Sequence, residues 1–570
     1  MNTDPASGPQ GLDLYAARIR AALGEALGTD PGALQLERPR RDELGDFALP
    51  CFRFAGDHGG NPAALAAKLA AELEIAEVSA AAAGPFLNFT VDRAALAATI
   101  LTDCAQEDFG GGSSDETTLV EYSSPNIAKP MHVGHLRSTV IGAALARLYA
   151  HLGHRVVRLN HLGDWGSQFG KLVAAWRRWG AEEQLAADPI AHLLELYVRY
   201  HQEEEADESL AQEAKAAFQQ LESGEENETR AVWKRFTELS LREFDKVYAR
   251  LGSDFDFVRG ESWYEDKLDP LLAWLEEAGV LEQSEGATIV DLEGEGIDTP
   301  CLVKTAHGTT LYATRDLAAA KSRWEEFAFD RALYVVGQEQ KLHFRQFRAV
   351  LHRAGCAWSE RIEHVPFGLI RMAEGKLSTR EGRVLALKDL LDRAVELAAG
   401  VIEEKNPEMP DKAAAAEQVG VGAVIFHDLK HQRAKDVVFD WAEVLSFEGD
   451  TGPYLQYTHA RFCAVLRKAG RPVPAAGEFN PALLADSPEL LVALGRFPQA
   501  VREAADKHEP MVLAQHLLRI GSAANSFYRD RRVLGSEPEL EAVRLVAIDR
   551  VRRVLALGLG LLGVPTPEEM

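Results

Sequence analysis

Apolar residues at Val133, Leu136, Val140, Ala144 and Leu148 recur at helical spacing, and the pattern stops at Gly153. A β-branched and aromatic run at 118–122 precedes this helix, and a second β-type run at 155–159 follows it. Between the first strand and the helix, positions 123–130 carry Ser, Pro and Asn and read as a loop. These pieces make a βαβ unit. In such a unit a ligand lies at the carboxyl ends of the strands, where free N–H groups at the helix start favour phosphate.

Ahead of this unit the pattern predicts helices at 12–27 and 62–73 and a strand at 86–91, a first body that reaches to about residue 108. Gly110-Gly111-Gly112-Ser113-Ser114 then reads as a flexible linker. Behind the unit, a charged helical stretch at 172–252 interrupts the nucleotide domain and reads as a solvated shell without chemistry. Strands at 287–292, 301–304 and 332–336 and a helix at 315–324 supply the rest of the nucleotide fold, to roughly Leu387. From Lys388 onward the pattern is helical, with stripes at Leu390, Leu391, Ala394, Leu397 and Ala398 and at Leu513, Leu517 and Ile520. The expected architecture is α/β. It has a small N-terminal α+β domain over 1–112, a Rossmann-like parallel-sheet catalytic domain with a helical insertion over 113–387, and a C-terminal α-helical bundle over 388–570.

A chain of 570 residues needs more than one core. Its formal net charge of −25 would repel nucleic-acid phosphates at long range. The acid is concentrated at 203–208 and 222–228, however, whereas Arg529, Arg531, Arg532, Arg544, Arg550, Arg552 and Arg553 gather near the C-terminus. These arginines read either as a solvated helical surface or as a local basic face able to bind RNA. Five scattered cysteines with no Cys-x-x-Cys pair point to neither a zinc site nor a disulfide framework, so no structural metal is expected. No apolar stretch is long enough to span a bilayer and the polar N-terminus lacks a secretory pattern. No membrane partner, a cytoplasmic location and a monomer are the expectations.

Candidate chemistry begins at His132-Val133-Gly134-His135, at the mouth of the first helix. The two histidines, three apart, share one face of the first turn, and Gly134 removes a side chain that would block a purine. Far downstream, Gly375-Lys376-Leu377-Ser378-Thr379-Arg380 forms a Gly-flanked basic loop able to close over a triphosphate. Each motif alone reads equally as surface residues. In this order, with an α/β body between them, they resemble the HIGH and KMSKS signatures of class I aminoacyl-tRNA synthetases.

Longer segments narrow the resemblance. Glu121-Tyr122-Ser123-Ser124-Pro125-Asn126-Ile127-Ala128-Lys129-Pro130, the segment 162–170, Tyr312-Ala313-Thr314-Arg315-Asp316, the segment 450–461 and the tail 562–570 are similar to arginyl-tRNA synthetases, so the likeness spans nearly the whole chain. It implies a ligase that joins L-arginine to tRNA(Arg) with ATP and magnesium, through arginyl-adenylate and transfer to the 3′-terminal adenosine. The activation step usually needs the tRNA bound first.

The resemblance implies that His132, Gly134, His135, Lys376, Leu377 and Ser378 hold ATP. Where many class I enzymes have a second loop lysine, this chain has Thr379. Arg380 and Lys129 are the candidate replacements, and Lys129, three residues ahead of His132, is the better placed. Tyr312 and Asp316 are implied on the substrate guanidinium, Glu121 and Asn126 on its other polar groups, and Gln340 beside them. His161, Asp164, Trp165 and Gln168 leave the second strand on the ligand side and are expected to line the adenosine or amino-acid pocket, His161 with the arginine-binding set, while Trp165 reads equally as packing. Tyr454, Tyr457 and Arg461 fall on one helical face and imply the anticodon pocket, with Met570 folded back beside it. Asn88, in Gly84-Pro85-Phe86-Leu87-Asn88-Phe89, implies a contact to the tRNA elbow, whereas Phe89 reads as core. Three alternatives stand beside this reading: a synthetase for another amino acid, a silent tRNA-binding paralogue, and a metabolic nucleotidylyltransferase sharing the HIGH-type site.

Overall fold

The computed structural model describes residues 8–306, 310–372 and 385–570. The N-terminal part comprises α1 (Leu12–Leu27), β1 (Phe47–Pro50), α2 (Pro62–Glu72), β2 (Val78–Ala83), β3 (Phe86–Val91) and α3 (Arg93–Asp103). Its strands form an antiparallel sheet of order β1-β3-β2. The alternating residues Leu87, Phe89 and Val91 enter the core shared with Tyr15, Ile19, Leu65 and Leu96, as the period-two pattern of a half-covered strand requires.

The central part begins with β4 (Thr117–Glu121), α4 (Val133–His151) and β5 (Arg155–Asn160). Five helices follow: α5 (Ser167–Trp179), α6 (Glu182–Ala187), α7 (Pro189–Glu204), α8 (Glu208–Glu222) and α9 (Glu228–Leu251). Then come β6 (Phe257–Val258), α10 (Glu265–Glu277), β7 (Glu282–Ser284), β8 (Ala287–Val290), β9 (Cys301–Lys304) and α11 (Tyr312–Phe327). Last are β10 (Arg331–Tyr334), α12 (Lys341–Arg353), β11 (Ile362–His364) and β12 (Ile370–Met372). The main sheet has the order β11-β10-β4-β5-β6 with every pair parallel. The chain reverses its winding between β4 and β10, and the crevice beyond their carboxyl ends is where an open α/β sheet takes its ligand.

Three expectations about this region change. The strands at 287–290 and 301–304 do not extend the parallel sheet but form an antiparallel sheet of their own, β7-β8-β9. Glu285 (φ +50°) and Gly286 (φ +82°) make the two-residue turn that forces β7 and β8 into a hairpin. The main sheet is completed instead by β6 and β11, two and three residues long, too short to show a period. The glycine run at 110–112 is docked: Gly110 N–H donates to Gln10 Oε1 at 2.7 Å and Gly112 N–H to the His151 carbonyl at 3.2 Å. A Cβ on Gly153 would come within 2.5 Å of the Gly112 carbonyl oxygen, so glycine here serves close backbone approach rather than flexibility.

The C-terminal part holds α13 (Leu387–Lys405), α14 (Lys412–Leu429), β13 (Val437–Phe439), α15 (Trp441–Val444) and α16 (Gly452–Ala469). Four more helices complete it: α17 (Pro488–Gly495), α18 (Phe497–Asp506), α19 (Met511–Asp530) and α20 (Pro538–Leu562). Strand β13 pairs in parallel with β12, which joins this part to the central one. It also meets the N-terminal part, where Phe109 stacks on Phe497 at 5.5 Å and Arg496 Nη2 donates to the Asp46 carbonyl at 2.7 Å.

Candidate functional site

The loop leaving β4 carries three non-glycine residues in the left-handed region: Ser123 (φ +74°), Ser124 (φ +50°) and Ala128 (φ +59°). Such residues cost of order 1–3 kcal/mol each and persist only where their surroundings fix them. Here Ser123 N–H donates to Ser138 Oγ (2.9 Å), Ser124 N–H to Asn160 Oδ1 (3.1 Å) and Ala128 N–H to Ser240 Oγ (2.9 Å). Ser240 lies on α9, and Tyr248 of the same helix reaches Ser123 Oγ at 2.8 Å. The charged insertion is therefore more than a solvated shell, because one of its faces holds the site loop in shape.

That loop delivers His132 as the cap of α4. His132 Nδ1 accepts from the Gly134 N–H at 3.0 Å, and His135 Nδ1 accepts from the His132 N–H at 3.1 Å. Both Nδ1 atoms are thus acceptors, which puts the proton of each neutral ring on Nε2. Burial lowers the His132 pKa, and burial together with the neighbouring His132 pushes that of His135 down to about 3. The result is a pair of neutral N–H donors, 4.0 Å between ring centres, at the positive end of a helix. Gly134 acts at closer range than expected: a Cβ there would lie 2.7 Å from His132 Cε1 and break the cap itself.

Lys129 Nζ donates to Gln168 Oε1 at 3.2 Å and sits 5.1 Å from the Tyr197 ring centre. The loop motif with Lys376, Leu377, Ser378, Thr379 and Arg380 falls outside the described residues. The chain that follows it is placed beside the histidines: Ala386 bridges His132, and Leu387 N–H donates to the Met131 carbonyl at 2.8 Å.

On the other side of the crevice, α11 begins at Tyr312, so Tyr312 and Asp316 stand one turn apart. Asp316 Oδ2 meets His343 Nε2 at 2.6 Å and Oδ1 lies 3.9 Å from His161 Nε2. The Tyr312 ring, 58% exposed, packs on His343 at 4.8 Å. Gln340 caps the start of α12, three residues ahead of His343. Glu121 is buried, and its carboxylate is taken by Arg323 Nη1 at 2.5 Å. Arg323 also donates to the hydroxyls of Tyr264 and Tyr334 and to His161 Nδ1 at 3.3 Å. Asn126 is exposed beside Gly163, where a Cβ would lie 2.0 Å from its Oδ1.

Arg323, His343 and Glu261 were not legible as site residues, having no motif around them. Glu261 is pushed up to about 7 by burial and then, against the opposing pull of Arg315, by the nearby carboxylates of Asp316, Asp164 and Glu265. Asp164 itself accepts from Ser262 Oγ and N–H. Trp165 is buried against Phe218 and Trp233 and is a packing residue.

Asn525 on α19 gathers the candidates of α16: its Nδ2 donates to Tyr454 Oη at 2.9 Å and its Oδ1 accepts from Arg461 at 3.1 Å. Arg461 lies over the Tyr457 ring at 4.7 Å. Tyr457 also faces Phe447, which Lys405 Nζ covers at 5.0 Å. The tail docks on the opposite face of α16, with Gln456 Nε2 donating to the Pro565 carbonyl and His459 Nδ1 at 3.1 Å from that of Pro567. Met570 arrives at Asn406, next to Lys405, where its carbonyl accepts at 3.4 Å.

Two nucleic-acid expectations shift. Asn88 is only 5% exposed in the central strand of its sheet, so it does not offer a base edge as it stands, and Phe89 is core. The exposed aromatic nearby is Phe52, set edge-on to Phe86 at 5.9 Å. Of the C-terminal arginines, Arg550, Arg552 and Arg553 all converge on the buried Asp549, and Arg529 and Arg531 pair with Asp530 and Asp486. Much of the apparent basic face is therefore neutralised locally.

Comparison with known proteins matches the whole of this layout. Residues 13–91 fit the model of the arginyl tRNA synthetase N terminal domain, 100–441 that of the class I (R) tRNA synthetase catalytic domain, and 455–570 that of the DALR anticodon binding domain. The arginine–tRNA ligase of Latilactobacillus sakei is 43% identical over 562 residues, covering 97% of this chain and 98% of its own. That of Clostridium acetobutylicum is also 43% identical, covering 98% and 100%. Among solved structures, Thermus thermophilus arginyl-tRNA synthetase superposes with a TM-score of 0.82 at 28% identity, covering 98% of this chain and all of that one.

Proposed function

The chain belongs to the arginyl-tRNA synthetases, and we propose that His132, His135 and Lys129 carry its activation step, with Asp316 at the head of its amino-acid pocket. The enzyme attaches L-arginine to tRNA(Arg) with ATP, through arginyl-adenylate and transfer to the 3′-terminal adenosine, releasing AMP and pyrophosphate. In the first step the arginine carboxylate, already ionised, attacks the α-phosphorus and needs no base. Positioning and charge cancellation on the phosphates supply the acceleration.

The observation that carries this reading is the double cap at the head of α4. With both Nδ1 atoms committed to backbone N–H groups, each imidazole presents a fixed neutral Nε2–H donor to an ATP phosphate. Gly134, Lys376, Leu377 and Ser378 complete the ATP contacts in this proposal. Lys129, braced by Gln168 and Tyr197, supplies the cation that Thr379 does not. Magnesium enters with ATP as part of that substrate.

For arginine, Asp316 and Tyr312 take the guanidinium, a planar fork suited to carboxylate. Glu261 and Gln340 stand beside them, His161 links Asp316 to Arg323, Asn126 serves the polar end, and Glu121 acts there through Arg323. The tRNA is proposed to lie across three units, 1–112, 113–387 and 388–570. Its elbow meets the N-terminal sheet at the exposed Phe52, and its anticodon meets Tyr454, Tyr457, Arg461 and Met570. A single chain supplies every part, which supports a monomer, and the family likeness supports a cytoplasmic location and activation of arginine once the tRNA is bound. Incorporation of each of the twenty labelled amino acids into total bacterial tRNA tests the reading: arginine alone is expected, and another amino acid would overturn the pocket assignment.

A further inference from the structure

Arg137 follows the second histidine by two residues on α4 and is 1% exposed, yet it faces away from the crevice. Its Nε lies 2.8 Å from Asp428 Oδ1 on α14, and Asp428 is itself buried. Its Nη1 donates to two backbone carbonyls, Gly368 and Lys435, at 2.8 Å each. The guanidinium also lies 6.0 Å from the Phe367 ring centre. One side chain therefore joins four segments: the helix capped by His132 and His135, the turn entering β12, the turn entering β13, and the second helix of the C-terminal part.

The segment it grips is held firmly. Arg433 reaches the Pro366 carbonyl at 2.7 Å and the His508 carbonyl at 2.8 Å, and Gly368 N–H donates to the Arg433 carbonyl at 2.9 Å. A Cβ on Gly368 would lie 2.6 Å from the Lys435 carbonyl, so only glycine lets the two turns come close enough for one guanidinium to serve both oxygens.

We propose that Arg137 is a positioning residue for arginine activation, a strut that sets the histidine-bearing helix against the C-terminal helices and the β12 turn. A charge buried this deeply without solvent is poor value as a source of stability, since apolar replacement of a buried pair is often neutral or stabilising. Its fixed fork, in contrast, defines the relative placement of three bodies, and reactions governed by positioning lose rate steeply when a catalytic group moves by about an ångström. The carbonyls are served by Nη1 and Asp428 by Nε, so lysine, with a single donor nitrogen, cannot reach both carbonyls and Asp428 together. The inference rests on the assignment of His132 and His135 to ATP.

The test measures arginine-dependent ATP–pyrophosphate exchange with saturating tRNA(Arg), beside tRNA affinity and melting temperature, in three proteins. The double variant Arg137→Met with Asp428→Leu removes both buried charges together and so preserves the fold. It is expected to keep tRNA Kd within about threefold and to lower kcat by about 30-fold or more, with little change in KM for arginine. Arg137→Lys is expected to lose about tenfold in kcat, and it decides the matter alone should the double variant not fold. Full kcat in folded Arg137→Lys, or in the double variant, would overturn the strut. His135→Ala is the control for the underlying assignment: if exchange survives that change, the reading of the histidines fails independently of Arg137.

Discussion

Asp316 on α11 and His343 on α12 meet at 2.6 Å, so the carboxylate proposed for the guanidinium is oriented by a histidine from the neighbouring helix. Asp316→Asn is expected to raise KM for arginine by about 100-fold, since a charged hydrogen-bond pair with the guanidinium is lost. His343→Ala leaves the charge but frees its rotamer, and about tenfold is expected. Steady-state aminoacylation checks both. Citrulline, which has lost the charge and a donor, should be charged at least about 1,000-fold less well than arginine by the parent enzyme.

Glu261 gives the same pocket a pH signature. Its pKa stands at about 7, raised chiefly by burial, so the carboxyl gains a proton as pH falls through neutrality and loses its attraction for a guanidinium. KM for arginine is expected to rise as pH drops from about 8 to 6, and Glu261→Gln should hold it high and flat across that window. A parent profile without this rise removes Glu261 from the pocket.

The histidine pair should behave in the opposite manner. Both pKa values are lowered, that of His135 to about 3, so the neutral donors persist well below the usual imidazole range. At saturating arginine, kcat/KM for ATP should show no acid limb between about pH 8 and 5.5. An acid limb centred at about 6.5 would mean that the rings titrate as ordinary imidazoles, and a rate that rises as pH falls through about 6.5 would mean that they work as imidazolium.

Lys129→Ala should lower the activation rate by more than about tenfold, a loss of at least about 1.4 kcal/mol of transition-state stabilisation. A smaller effect in pyrophosphate exchange leaves Arg380 as the remaining replacement for the lysine absent at Thr379. Gln168→Ala, which releases the Lys129 ammonium without removing it, should fall between Lys129→Ala and the parent.

Deleting Met570 alone removes the tail's contact at Asn406 while Gln456 and His459 still hold Pro565 and Pro567. KM for tRNA is expected to rise by about tenfold, with melting temperature unchanged. Unaltered charging kinetics would separate the tail from the anticodon pocket.

The helical spacing after His132 and the β-type runs beside it made the first βαβ unit legible, because that unit is built from contiguous residues with clean periods. The aromatic face of α16 was legible for the same reason, whereas the helix expected at 315–324 begins earlier, at Tyr312. What failed was local pattern taken as global placement. The strand at 301–304 was visible as a strand, but its sheet was set by the Glu285-Gly286 turn and by its hairpin partner. Asn88 was visible in its motif, but its burial depended on lying between two other strands.

The sequence by itself determined the class of catalyst, the two histidines at their helix start, and the acidic side chain proposed for a guanidinium, since short motifs keep their residue types together wherever they fold. Tertiary structure decided which atoms remain available. It committed each histidine Nδ1 to a backbone N–H, occupied Glu121 with Arg323, pointed Asp316 at His343 and tied Arg137 to the turn entering β13, 298 residues away at Lys435. Hydrogen bonds and ion pairs between distant segments carry no period along the chain, so only their meeting in space reveals them.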